Sequence, residues 1–99
     1  MGVEDDLQRL ELVVARVREV TPHAGARGPS VRLVLDCGPR GEREALLAEP
    51  PADADGLVGR QLLCALGAGD ALVLTAHSHA KGLVLLGPDS EVEDGTTVG

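Results

Sequence analysis

Residues 10–38 read LELVVARVREVTPHAGARGPSVRLVLDCG, two runs rich in Val and Leu around a Pro/Gly loop. The second run, Val31–Gly38, alternates cleanly. Val31, Leu33, Leu35 and Cys37 share one face; Arg32, Val34 and Asp36 share the other, so the run reads as a half-buried strand. The first run, Leu10–Val20, places Leu12 and Val14 on an apolar face that alternates with Glu11 and Val13. Val17 then falls three residues after Val14, out of phase. A bulge near Ala15 or Arg16 would return Val17 to one buried face. A helix is the rival reading of this run, but its valine density favours strand. Between the runs, Thr21–Ser30 is a loop.

Outward from this pair the chain keeps the rhythm of short strands. Val3–Leu10 reads as one or two helical turns, with acids at the start and Leu7 and Leu10 on one face. After a turn at Pro39–Glu42, Arg43–Glu49 is a weaker strand whose Ala/Leu content would also suit a helix. Asp53 is placed to N-cap a single helical turn. Arg60–Leu66 and Ala71–His77 are strands joined by the tight Gly67–Asp70, and His77–Ala80 turns the chain into a last strand, Lys81–Gly87. About six short strands with almost no helix predict an all-β barrel or sandwich.

Composition narrows the function. Ninety-nine residues suggest one domain, residues 1–99, with a core built without Phe, Tyr or Trp. A domain of this size often gains stability from oligomerisation. The net charge of −7 opposes tight general binding of nucleic acid, which needs cations to release phosphate counterions. The missing aromatics remove the stacking platforms that single strands use. No apolar run approaches the ~20 residues of a membrane helix, and the first ten residues are too polar for a secretory signal, so the expected location is cytoplasmic. Cys37 and Cys64 both sit in apolar runs without CxxC spacing and read as buried structural thiols.

Three segments taken in order resemble the tRNA-binding domain family. The first is residues 10–38, an apolar strand, a loop and a strand ending Asp36-Cys37-Gly38. The second is DGLVGRQLLCAL (residues 55–66), a helical turn followed by Leu-x-Gly-basic and a strand. The third is GLVLLGPDSEVEDGTTVG (residues 82–99), an apolar strand, Pro-Asp and a closing apolar-Gly. The likeness covers nearly the whole chain and is strongest to the family's stand-alone CsaA branch. It implies an all-β, five-stranded OB-fold Greek-key barrel with a short N-terminal helical turn and an extra C-terminal strand and turn. It also implies a non-enzymatic, homodimeric module whose partner is tRNA or another RNA, or a protein client if RNA binding has been lost. The segment joining the fourth and fifth strands is shorter here than in the family, four residues at Gly67–Asp70.

Candidate chemistry is sparse. His77 and His79 could begin a metal site, but a metal needs a third ligand and usually a fourth, and a polar turn is the simpler reading. Ser30, Ser78 and Ser90 lie in no nucleophile-elbow context, and the glycines of 25–28 lack the Lys-Ser/Thr of a phosphate loop. Glu91, Glu93 and Asp94 read as a solvated turn face. No catalytic residue, metal or cofactor is expected. For RNA the expected contacts are Arg32, Arg43, Arg60 and Lys81; the competing reading pairs the strand arginines with acids such as Glu11, Glu19 or Asp36. An outward Leu46 or Leu47 would mark an apolar contact patch. The closing stretch is expected to be an integral strand, Lys81–Leu86, and a structured finishing turn that completes a barrel edge.

Overall fold

Strand formation follows the valine- and leucine-rich runs almost residue for residue. A computed structural model describes residues 11–23, 30–48 and 50–98. Its strands are β1 (Leu12–Pro22), β2 (Val31–Asp36), β3 (Glu42–Leu47), β4 (Gln61–Leu66), β5 (Ala71–Val73), β6 (Thr75–Ser78) and β7 (Gly82–Leu85). The first five form one sheet in the order β3-β2-β1-β4-β5, with antiparallel neighbours. A parallel bridge between Glu44 and Asp70 brings the two edge strands together. The result is a nearly closed five-stranded OB-like barrel, the expected fold class. The helical turn expected over Val3–Leu10 lies outside the described residues.

The barrel interior is aliphatic. Val13, Val17, Leu33, Leu35, Leu57, Leu62, Cys37 and Cys64 are its largest fully buried side chains. No single one contributes as an aromatic would, so stability rests on close packing of many small groups. Leu57 enters from a 3-10 turn over Ala54–Leu57 and plugs the barrel. Asp53 stands at the N-cap of that turn as expected, but its side chain makes no capping bond.

The phase of β1 differs from the sequence reading. Val13, Ala15 and Val17 belong to the core cluster, so the inward face runs without a slip through Ala15 and Arg16. The bulge lies further on, where the β1–β2 register shifts between Val17 and Glu19. Skipping Arg18 brings Val20 opposite Leu33 and back onto the core. Leu12 and Val14, read as the inward face, are buried but lie outside the core cluster. A strand buried on both sides erases the alternation from which its phase would be read.

A second correction concerns the fifth strand. Ala71–His77 is two strands broken at Leu74: β5 pairs with β4, and β6 pairs with β7 in a separate two-stranded sheet. Lys81–Leu86 is thus a strand of that hairpin and not of the barrel sheet. Its end still reaches the barrel, because the Leu63 N–H donates to the Leu86 carbonyl at 2.8 Å.

The closing residues finish β1. β2 covers only Arg16–Pro22 of that edge. The N-terminal half is covered by the last residues of the chain: Val14 N–H donates to Thr96 O at 2.8 Å, Gly95 N–H to Val14 O at 2.7 Å and Val98 N–H to Leu12 O at 2.9 Å. The expected finishing turn is present, and the edge it completes is that of the central strand.

Candidate functional site

The four basic residues expected to contact RNA do not converge. Arg32 is exposed on β2, opposite Leu46 of β3, with Glu44 Oε1 3.7 Å from its Nε. Arg43 is half-buried on β3, and its Nη1 donates to the Gly67 carbonyl at 2.8 Å across the gap to the β4–β5 turn. Arg60 is exposed just before β4, beside a recess of about 470 Å³ shared with Arg16, Gln61, Asp89 and Glu91. Lys81 is exposed in the β6–β7 turn. Arg32, Arg43 and Arg60 therefore line three separate recesses, each containing carboxylates.

The remaining strand arginines are committed to structure. Arg16 binds three groups at once: Asp94 Oδ1 at 3.1 Å, Glu91 Oε1 at 3.0 Å and the Gly59 carbonyl at 2.7 Å. Asp94 and Glu91 hold its guanidinium above its already high ordinary pKa. Gln61 completes the clasp, donating to Val92 O at 2.6 Å and accepting from Val92 N–H at 3.1 Å as a strand backbone would. Of the residues read as a solvated turn face, Glu91 and Glu93 are exposed, whereas Asp94 is largely buried against Arg16 and helps to hold the closing segment. Arg18 pairs with Asp36 at 2.7 Å across the β1–β2 ladder. That bond and the Gly38 N–H hold the Asp36 carboxyl below the ordinary carboxylate range. Arg40 pairs with Glu11 and also reaches the Gly95 carbonyl at 3.3 Å.

The histidines and cysteines present no shared site. His77 and His79 are exposed, and His23 Nδ1 lies 3.0 Å from Ser30 Oγ. Among the described residues no three His, Cys, Asp or Glu side chains cluster as a metal ion would need. Cys37 and Cys64 are unpaired thiols, both buried, and burial pushes the Cys64 thiol up to about 12. Among the described residues no helix is long and apolar enough to cross a membrane.

One recess is apolar as well as charged. It lies outside the barrel where the β3 and β5 edges meet, with a volume of about 340 Å³. Leu46 and Leu72 wall it at 52% and 62% exposure, and Arg32, Glu44 and Asp70 supply the charges. Leu46 is outward while Leu47 is buried at 5%, which fulfils the contact-patch expectation at one of its two positions. Leu72 and Asp70 were not singled out from the sequence. The period-2 pattern of Ala71–Val73 could have flagged Leu72 once Val73 was taken as buried, but nothing local says that β5 lies beside β3.

No family model matches the chain, and no curated protein matches it. Solved structures do. The crystal structure of the CsaA chaperone protein from Picrophilus torridus is similar with a TM-score of 0.87 at 21% identity, over 100% of both chains. The chaperone CsaA from Bacillus anthracis str. Ames follows at 0.84 and 27%, over 100% of this chain and 99% of that one. A MetRS related protein from Pyrococcus horikoshii gives 0.78 and 17%, over 100% and 98%. These full-length likenesses agree with the tRNA-binding domain family, and with its CsaA branch, that the sequence resembles.

Proposed function

We propose, for a barrel that shares its whole length with CsaA chaperones, a non-enzymatic module that holds apolar segments of other proteins. The observation that carries this reading is the pair of exposed leucines, Leu46 and Leu72, set in one amphipathic recess. Large apolar side chains left together in water beside a concavity are what an interaction site needs. The test is aggregation of a denatured model protein followed by light scattering. Stoichiometric amounts of this chain should slow the rise, and an unchanged time course would sink the reading.

A second reading keeps RNA as partner, with Arg32, Arg43, Arg60 and Lys81 as its contacts. It is favoured by Arg60 and Lys81, which pair with no carboxylate among the described residues. It is opposed by the net charge of −7 and by the scatter of the cations over separate recesses. Because phosphate binding strengthens as salt falls, a tRNA mobility shift at low salt is its most permissive test. A shift that Arg60→Ala and Lys81→Ala weaken would support it.

A further inference from the structure

We infer that the β3–β5 recess selects peptide segments in which a lysine or arginine adjoins apolar side chains. This rests on the protein-binding reading and adds the chemistry of the bound segment. The apolar half of the recess is the exposed side chains of Leu46 and Leu72; Ala45, also on its lining, is packed in the barrel core. The charged half is unbalanced. Among the described residues Arg32 reaches only Glu44, and loosely, at 3.7 Å. The Asp70 carboxylate has no cation partner among the described residues. The backbone that carries it is fixed. Gly67 N–H donates to the Asp70 carbonyl at 2.9 Å, and the Asp70 carboxylate lies where a Cβ on residue 67 would stand. Glu44 and Asp70 form the bridge between the two edges, so their backbones are held side by side on the lining of the recess. Two carboxylates and one arginine leave a net negative mouth beside an apolar wall, and the complement of that surface is a cation next to aliphatic groups.

A second copy of this chain fits less well. It would set the same acidic excess against itself, on a chain of net charge −7. Two exposed leucines are also far short of the roughly 800 Å² per partner that a stable interface buries. A short segment needs no such area.

The experiment uses the full chain and three labelled peptides of equal length, read by fluorescence anisotropy: alternating Lys and Leu, alternating Glu and Leu, and alternating Lys and Ser. The Lys/Leu peptide should bind saturably, and the other two at least tenfold more weakly. Leu46→Ser with Leu72→Ser, both at exposed positions, should weaken the Lys/Leu peptide about tenfold. Asp70→Lys should weaken it similarly and improve the Glu/Leu peptide; Glu44→Lys is the independent second variant. Equal binding of Lys/Leu and Glu/Leu peptides, or binding indifferent to the leucine changes, would overturn the inference. If the leucine double variant still protects the denatured protein, the reading stands and the recess is not its site. If the wild-type chain neither protects nor binds any peptide, both fall together. A dimer that dissociates in the leucine double variant assigns the face to a second copy, and tRNA binding lost with Arg32→Ala assigns it to RNA; either result overturns the inference.

Discussion

At the scale of single residues, two glycines decide how the closing segment meets the barrel. Gly38 and Gly95 have φ of +61° and +89°, where a side chain is strained, and each lies against the other's neighbourhood. A Cβ on Gly38 would overlap the Asp94 carbonyl oxygen, and one on Gly95 would overlap that of Cys37. Gly38→Ala should therefore destabilise by about 2 kcal/mol or more, from left-handed strain plus the clash, as measured by urea unfolding. Cys64 gives a prediction with a sign. Its folded-state pKa of about 12 lies above the ordinary 9.0, so the thiol keeps its proton in the folded chain after the unfolded chain has lost it. Its contribution is full below about pH 9.0 and falls as pH rises toward 12. Cys64→Ala should flatten this alkaline loss in melts across that range, and a slope unchanged from wild type would refute the assignment. Asp36 acts in the opposite direction. Its folded pKa is depressed below 3.8, so its contribution is present above that value and is lost as pH falls below it. Asp36→Asn should blunt the acid limb.

At the scale of elements, the closing segment is a structural part of the sheet. It supplies the backbone partners of Leu12 and Val14, and its carboxylates anchor Arg16. A chain truncated after Gly87 loses those partners and bares the edge of its central strand, a template for pairing with other chains. Such a protein should aggregate or melt well below the full chain. If it stays folded and soluble, the segment is only a tail. The same element shows what the sequence could and could not give. The strand-and-turn pattern of residues 82–98 was legible from its apolar run and its Gly-Pro-Asp. Its partner was not, because pairing β1 with residues more than eighty positions away leaves no local mark. The misplaced bulge has a related cause: four successive buried residues, Leu12–Ala15, hide which two face the barrel. Breaking Ala71–His77 at Leu74 was equally hidden, since no Gly or Pro between Ala71 and His77 marks the change of partner.

At the scale of the whole molecule, the resemblance leads us to expect a homodimer. Size-exclusion chromatography with light scattering should give twice the 10.2 kDa chain mass, and a clean monomer at high micromolar concentration would exclude it. The fold class was open to reading from the sequence, because period-2 alternation, Gly/Pro turns at short intervals and the absence of long helical stripes are local properties and survive in one dimension. So was the outward position of Arg32 and the burial of both thiols. The arrangement of the cations was not. Whether Arg32, Arg43, Arg60 and Lys81 form one surface depends on strand order, and the order β3-β2-β1-β4-β5 spreads them over separate recesses. The same strand order brings Leu46 beside Leu72, and Glu44 beside Asp70, from residues 26 positions apart. Sequence by itself determined which residues of β2 turn inward, since the pleat sets Leu33, Leu35 and Cys37 against a face marked by Arg32 and Asp36; β1, buried on both sides, hid its phase. Only the closure of the barrel decided which outward residues meet, because contacts between edges depend on how the sheet curls and not on any one strand.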